Sequence, residues 1–186
     1  MTLADLDSAT KPLDPTILRA YDIRGVIGET LSAADAHSIG RAYGTMIGET
    51  GGTRVCVGYD GRLSSPELEA ALVDGLMRAG MEAIRVGLGP TPMLYFAVKS
   101  TGADAGIMIS GSHNPPDYNG FKMTLAGKPF FGGDIQRLGE IAAAADYAAG
   151  EGSVEDIDIR EDYVACLLYT SPSPRDVEES RMPSSA

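Results

Sequence analysis

Short apolar runs alternate with segments of helical periodicity along most of this chain, and this alternation constrains the fold more than any other feature. The runs with the length and composition of buried strands are residues 55–58, 83–86 and 105–109. The helical segments between and after them begin at Ser32, at Ser64 or Ser65, at Thr91 and at Asp134. Such alternation is typical of layered α/β domains. We therefore expect an α/β fold with helices on both faces of one layered sheet.

Two further segments predict that this sheet is mixed. Residues 17–26 form an apolar segment that ends in a glycine turn, and we expect a strand there. Residues 121–125 and 129–131 flank a turn at Ala126-Gly127-Lys128, which is a pattern typical of a hairpin. Hairpin strands are antiparallel, whereas strands joined through helices are parallel. The sequence thus predicts both kinds of pairing.

The first helix has a clear start signal. Ser32 and Asp35 have the spacing of a capping box, in which each side chain bonds to the backbone of the other residue. Apolar residues then recur at helical spacing from Ala36 to Ile47. His37 lies outside this apolar face, so we expect it in solvent.

The segment from Ser110 to Lys122 is the strongest functional signal in the chain. It follows the apolar run 106–109, and its glycine, serine, asparagine and proline residues end that strand. Gly111 allows the backbone to turn freely, and Pro115 restricts the residue before it to extended or turn geometry. Ser112 is therefore expected at the tip of a stiff loop beyond a strand's carboxyl end, where open α/β sheets bind ligands.

The residues of this loop leave three interpretations open. The loop could be an ordinary surface connection, because serine, asparagine and proline are common in turns. A Ser–His hydrolase is a second interpretation, but Ser112 and His113 are adjacent and the G-x-S-x-G motif is absent. The third is a serine that carries a phosphoryl group.

Four motifs in order resemble those of the α-D-phosphohexomutases, and within that family the bacterial phosphomannomutase/phosphoglucomutase branch. They are GSHNPPDYNGFK at 111–122, YDIRG at 21–25, DGR at 60–62 and PTP at 90–92. The similarity runs from about residue 13 to about residue 165. It implies a phosphohexomutase domain I, with the fold already expected from the alternation of strands and helices.

The resemblance also implies roles for particular residues. The complete enzyme would interconvert hexose 6-phosphate and hexose 1-phosphate through a phosphoserine and a bisphosphate intermediate, with a glucose 1,6-bisphosphate-type primer. The implied catalytic residues are Ser112, Lys122, Arg24 and His113. The implied substrate-binding residues are Tyr21, Arg24, Asn114, Asn119 and Lys122. Mg²⁺ would be held by the phosphate on Ser112 together with aspartates of a second domain.

Two alternatives to this function remain open. The chain could be a non-catalytic phosphosugar-binding module or phosphoprotein. It could also belong to a phosphoglucosamine mutase, which has a related serine loop. Residues 116–122 resemble the mannose/glucose branch more closely, so we expect a mannose or glucose phosphate as the substrate.

The domain organisation expected from the sequence has four parts. Residues 1–12 form a flexible amino terminus, 13–150 form domain I, 151–166 begin a truncated second domain, and 167–186 are an unmatched tail, either disordered or artefactual. The sequence contains no recognisable metal loop, and we expect the short strand near Ile157 and Ile159 to have no sheet to join. The 186-residue chain is therefore expected to be an inactive fragment by itself.

Composition excludes several partners. The net charge of -11 and the absence of a basic stripe argue against nucleic acid. No apolar run reaches the length of a membrane span, and the start of the chain lacks a signal-peptide pattern, so we expect a cytoplasmic protein with no membrane partner. Cys56 and Cys166 indicate neither a disulfide framework nor a thiolate metal site. The oligomeric state is open, and the resemblance implies a monomer for the complete enzyme.

Overall fold

Seven strands form one mixed sheet in the computed structural model, which describes residues 12–170. The strands are β1 Ile23–Val26, β2 Arg54–Tyr59, β3 Glu82–Leu88, β4 Ala105–Ile109, β5 Tyr118–Leu125, β6 Lys128–Pro129 and β7 Ser153–Asp156. The helices of this part of the chain are α1 Ala33–Glu49, α2 Ser65–Arg78, α3 Thr91–Thr101, α4 Gly133–Ala144 and α5 Arg160–Thr170. None of them combines the length and apolarity that a membrane span requires.

The strand order confirms the mixed sheet. The order is β1-β5-β4-β2-β3-β7, and β6 pairs with β5. β2 is parallel to β3 and β4, and β3 is parallel to β7, whereas β5 is antiparallel to β1, β4 and β6. The predicted hairpin is β5–β6, and its turn residues Ala126 and Gly127 have φ of 50° and 72°. Two positive φ values suit a two-residue hairpin turn, because the turn then follows the twist of the strands.

Helices cover both faces of the sheet, as expected. On one face α1, α2 and α4 pack with Val55, Ile107 and Phe121 in the larger apolar cluster. On the other face α3 packs with Cys56, Ile84 and Met108, and Ile159 at the start of α5 joins this smaller cluster. Neighbouring residues of β2 thus enter opposite clusters, because successive side chains of a strand point to opposite faces. The sheet is buried on both sides, which explains why its central strands are almost wholly apolar.

The crossing of α1 and α2 corrects the expected position of His37. A Cβ added to Gly40 would collide with the Leu72 carbonyl, and one added to Gly75 would collide with the His37 carbonyl. The two glycines therefore let the helix backbones come unusually close. This approach covers the side of α1 that carries His37, which is fully buried with its Nε2 3.2 Å from Asp74 Oδ2. The solvent position expected for His37 is wrong, because α1 is buried on more than its apolar face.

Both ends of the described chain differ from expectation. β1 is shorter than predicted, because residues 15–17 form a 3-10 turn capped by Asp14, whose Oδ1 accepts a hydrogen bond of 2.8 Å from Thr16 N. The short strand expected near Ile157 and Ile159 lies slightly earlier, at Ser153–Asp156, and the expectation that it had no sheet to join is wrong, since β7 pairs with β3. α5 also continues to Thr170, so residues 167–170 of the expected tail are helical.

The structure does not test the remaining parts of the predicted domain organisation. Residues 1–11 and 171–186, which carry most of the predicted flexible terminus and tail, are outside the described residues. The boundary near Gly150 and the assignment of 151–166 to a second domain stay predictions.

Candidate active site

The connection from β4 to β5 carries Ser112 beyond the carboxyl end of β4. Ser110 N donates to Gly120 O across the base of this loop at 2.9 Å, and Asp60 N donates to Ile109 O at 2.9 Å. Ser112 is exposed and has φ of 51°, and its amide donates to Ser110 Oγ at 3.0 Å. A residue with a Cβ is uncommon in this left-handed region and costs about 1–3 kcal/mol there. The surrounding structure must therefore hold Ser112 in place.

Arg62 supplies most of that support. Its guanidinium donates to the carbonyl oxygens of Pro115 at 2.6 Å, Asn114 at 2.7 Å, Tyr118 at 2.9 Å and Ser112 at 3.3 Å. A Cβ on Gly111 would overlap the same guanidinium, so the glycine makes room for the arginine. One planar side chain thus fixes four carbonyls of the serine loop, which is a task that suits the rigid fork of arginine.

Asp60 joins the loop to the start of α2. Its Oδ2 accepts from Gly111 N at 2.9 Å, and its Oδ1 accepts from Ser65 Oγ at 2.7 Å and Arg62 N at 3.1 Å. Partial burial is the largest influence on the Asp60 carboxyl and opposes its ionisation, but the hydrogen bonds together outweigh it and lower its pKa. Asp60 is therefore an ionised anchor at neutral pH. The DGR motif was recognised in the sequence, but its role in holding the serine loop was not predicted.

A cluster of one carboxylate and two cations lies beside the loop. Asp22 Oδ2 is 2.8 Å from Arg24 Nη2 and 3.3 Å from Lys122 Nζ. Arg24 Nη1 also donates to Asn114 Oδ1 at 3.1 Å, which links the cluster to the serine loop. The structure thus brings together three of the predicted residues, Arg24, Lys122 and Asn114. Asp22, which completes the cluster, was not predicted as a site residue.

The pairing of β1 with β5 explains how this cluster forms. Ile23 is opposite Phe121 and Arg24 is opposite Gly120 in the antiparallel register. Lys122 follows Gly120 by two residues, and residues two apart on a strand share a face, so Arg24 and Lys122 lie on one face of the sheet. Asp22 comes directly before β1, and its carboxylate contacts both cations there.

The other predicted residues occupy different positions. Tyr21 is 77% exposed and stacks on Phe131 with ring centroids 6.4 Å apart. His113 is exposed and lies outside the cavities that Ser112, Arg24 and Lys122 line. Asn119 departs from the expected substrate contact because it is fully buried, and its amide donates to Ser64 Oγ at 2.9 Å and Ser65 Oγ at 3.0 Å. Its position makes it a support between β5 and the start of α2.

Two open cavities border the loop, and a third lies beside Lys122. One of about 730 Å³ is lined by Ser112, Arg62 and Asp60. A second of about 480 Å³ is lined by Arg24, Asp22 and Tyr21, and Asn114 lines both of these cavities. The third, about 770 Å³, is lined by Lys122, Tyr21 and Phe131 and does not include Ser112. The hydrogen-bonded loop and the cations therefore favour the first two cavities as the site.

The described residues do not form a complete metal site. Residues 12–170 contain no group of three or more His, Cys, Asp or Glu side chains that could hold an ion. The Mg²⁺ expected from the resemblance therefore does not fit this part of the chain alone, and a serine phosphate could provide only one of its ligands.

The family of the chain follows from its match to a known domain. The family model "Phosphoglucomutase/phosphomannomutase, alpha/beta/alpha domain I" matches residues 15–149, so the chain belongs to this family. A phosphomannomutase/phosphoglucomutase of Pseudomonas aeruginosa is 48% identical over 159 residues, which are 85% of this chain and 34% of that protein. A phosphoglucomutase of Neisseria meningitidis serogroup B is 46% identical over 150 residues, which are 80% of this chain and 33% of that protein.

A solved structure supports the same assignment. A phosphoglucomutase/phosphomannomutase family protein from Burkholderia thailandensis superposes with a TM-score of 0.81 at 47% identity, covering 84% of this chain and 36% of that one. These matches confirm the α/β fold and the family resemblance. The chain spans about a third of the length of the curated relatives it matches.

Proposed function

We propose that this chain is the phosphoryl-carrying domain of a phosphomannomutase/phosphoglucomutase, an isomerase that interconverts hexose 6-phosphate and hexose 1-phosphate. The observation that carries the proposal is Ser112, an exposed hydroxyl at positive φ on a loop fixed by Arg62 and Asp60. A serine held in this way can present a phosphate to a bound sugar without reorganising. Rigid positioning supplies much of the rate of phosphoryl transfer.

The chemistry proposed for the loop is a transfer through a phosphoserine. The bond from phosphorus to Ser112 Oγ breaks while a bond to a sugar hydroxyl oxygen forms, and the proton lost by that hydroxyl is balanced by the proton that Ser112 Oγ takes up, with Lys122 as the carrier, which gives a hexose bisphosphate. The second phosphate of that bisphosphate then returns to Ser112 and releases the isomeric monophosphate. A bisphosphate primer would load the serine at the start.

Arg24 and Lys122 would serve this transfer in different ways. The planar fork of Arg24 binds phosphate oxygens at two points and steadies the charge of the transferring group. The ammonium of Lys122 is our proposed proton carrier for the Ser112 oxygen. The structure adds a carboxylate beside this ammonium, where the sequence had suggested only cations.

A chimera provides the test, because the chain matches one contiguous third of its relatives. Residues 13–150 would replace the matching part of the Pseudomonas aeruginosa relative, and conversion of glucose 1-phosphate would be measured with Mg²⁺ and glucose 1,6-bisphosphate. We expect turnover within about tenfold of the parent, since most site residues are local to this domain. A folded chimera without turnover would refute the proposed function.

Ser112 itself is tested by label and by substitution. Incubation with glucose 1,6-bisphosphate should add one phosphate, and mass spectrometry should locate it on Ser112. The matched control is Ser100→Ala, since Ser100 is an exposed serine of α3 outside the serine loop. Ser112→Ala should lose nearly all activity and the label while keeping its thermal unfolding temperature. A label on Ser110 would contradict the assignment.

The isolated chain gives a further expectation of this proposal. Residues 12–170 contain no group of three or more His, Cys, Asp or Glu side chains that could hold Mg²⁺. We expect turnover of the 186-residue chain to equal that of buffer. Magnesium-dependent activity of the purified chain would contradict this expectation.

A further inference from the structure

One oxygen of Asp22 serves two cations in the candidate active site. Its Oδ2 lies 2.8 Å from Arg24 Nη2 and 3.3 Å from Lys122 Nζ. The Asp22 side chain is 8% exposed, whereas those of Arg24 and Lys122 are 37% and 34% exposed. The carboxylate is thus enclosed behind two cations whose ends remain open to the cavities.

A carboxylate in this place works against anion binding. A phosphate group of the substrate carries negative charge, and like charges within a few ångströms repel each other. Arg24 and Lys122 alone would offer two positive charges, and Asp22 reduces their sum to one. A site that only had to bind phosphate would therefore bind it more tightly without Asp22.

The benefit of Asp22 lies in where it holds the cations. Arg24 and Lys122 are on adjacent strands and have long side chains with many rotamers, and their like charges favour separation. A shared acceptor brings both ends to one point and limits their motion. Arg24 is held from the other side by Asn114 Oδ1 at 3.1 Å, so its fork has one fixed orientation toward the serine loop.

We propose that Asp22 is a positioning residue of the phosphoryl transfer, which holds Arg24 and Lys122 in the geometry of the transition state at the expense of ground-state phosphate affinity. This inference rests on the proposed function. It differs from an ordinary structural ion pair in one respect. It predicts that removing the charge of Asp22 lowers turnover without weakening anion binding.

Asp22→Asn in the chimera is the first variant, because it keeps the shape of the side chain and removes its charge. We expect kcat to fall about 10- to 100-fold, which is the range that a small misplacement of catalytic groups produces. Inhibition by inorganic phosphate should stay equal or become stronger, since a repelling charge is gone. Asp146→Asn, on an exposed residue after α4, is the matched control and should change neither quantity.

Two further variants test the same point. Asp22→Glu keeps the charge but moves it by one methylene group, so it should fold and still lose turnover. It also stands in for Asp22→Asn if that protein unfolds. Asp22→Asn should lower kcat by a smaller factor in the Lys122→Ala background than in the otherwise unsubstituted chimera. One of the two cations that Asp22 positions is absent in that background.

The outcomes separate the two hypotheses. An inactive but folded unsubstituted chimera would refute the proposed function itself. An active chimera whose Asp22→Asn and Asp22→Glu variants keep full kcat would refute the positioning role and leave the proposed function intact. Weaker phosphate inhibition together with lower kcat in Asp22→Asn would also refute the positioning role. A merely structural role of Asp22 would weaken phosphate binding and turnover together.

Discussion

Replacement of Arg62 by alanine should release the serine loop. The guanidinium holds four loop carbonyls, and the bonds to Asn114 O and Tyr118 O are partly buried. A hydrogen bond to a charged group contributes about 1.5–3 kcal/mol. Counting only these two bonds, and allowing for rehydration of carbonyls that border an open cavity, the loop should lose about 3 kcal/mol. This loss raises the population of open loop about 100-fold.

Hydrogen exchange measures that opening directly. The amides of Asn114 and Tyr118 donate within the loop to Gly111 O and Pro115 O, both at 3.0 Å. In Arg62→Ala we expect both amides to exchange about 100-fold faster than in the unsubstituted chain. The amide of Phe130, which donates to Met123 O in the neighbouring hairpin, should keep its rate.

A matched arginine separates the loop effect from a general loss of charge. Arg137 pairs with Glu49 at 2.7 Å on the surface, where its side chain is 55% exposed, and Arg137→Ala should leave the loop amides unchanged. In the chimera, Arg62→Ala should also slow phosphorylation of Ser112. Unchanged exchange at Asn114 and Tyr118 would refute the claim that Arg62 holds the loop.

Two other predictions concern the support of the site. Gly40→Ala should lower the free energy of unfolding, measured with denaturant, by about 1–3 kcal/mol, because the new methyl group meets the Leu72 carbonyl. Gly48→Ala on the same helix is the control. Its methyl group has ordinary room near Met81, so this variant should be neutral or stabilising. Equal stability of the two variants would contradict the close crossing. The lowered pKa of Asp60 should stabilise the fold above about pH 4, with this contribution lost as pH falls through the folded-state value. The free energy of unfolding should therefore decrease less steeply in acid for Asp60→Asn than for the unsubstituted chain, and parallel pH curves would contradict this.

The sequence was most informative where the signals are local. The capping box at Ser32 and Asp35 is present, and α1 begins at Ala33 as its spacing indicates. The β5–β6 hairpin was also predicted, because its turn residues and its strands adjoin each other in sequence. Ser112 at the tip of the β4–β5 loop follows equally from neighbouring residues, since Gly111 and Pro115 restrict the backbone around it.

What the sequence could not provide depends on contacts between distant segments. Asp22 meets Lys122 one hundred residues later, so its role becomes visible only once β1 is paired with β5. The alternation of residues in β7 indicated a strand but carried no information on which sheet edge would accept it. His37 was misplaced because its burial depends on glycines in two different helices, and their effect appears only when the helices cross.

The strand order has a consequence for how the site is assembled during synthesis. Within the described residues, β1 lies at the edge of the sheet and hydrogen-bonds to β5, so Arg24 has no strand partner until Gly120 has been synthesised. Closing such a long loop is slow compared with the formation of a helix or a hairpin. Arg24 is therefore among the first parts of the domain to be made, yet it can join Lys122 only after β5 is in place. The cation cluster therefore cannot form before β1 and β5 have paired at this edge of the sheet.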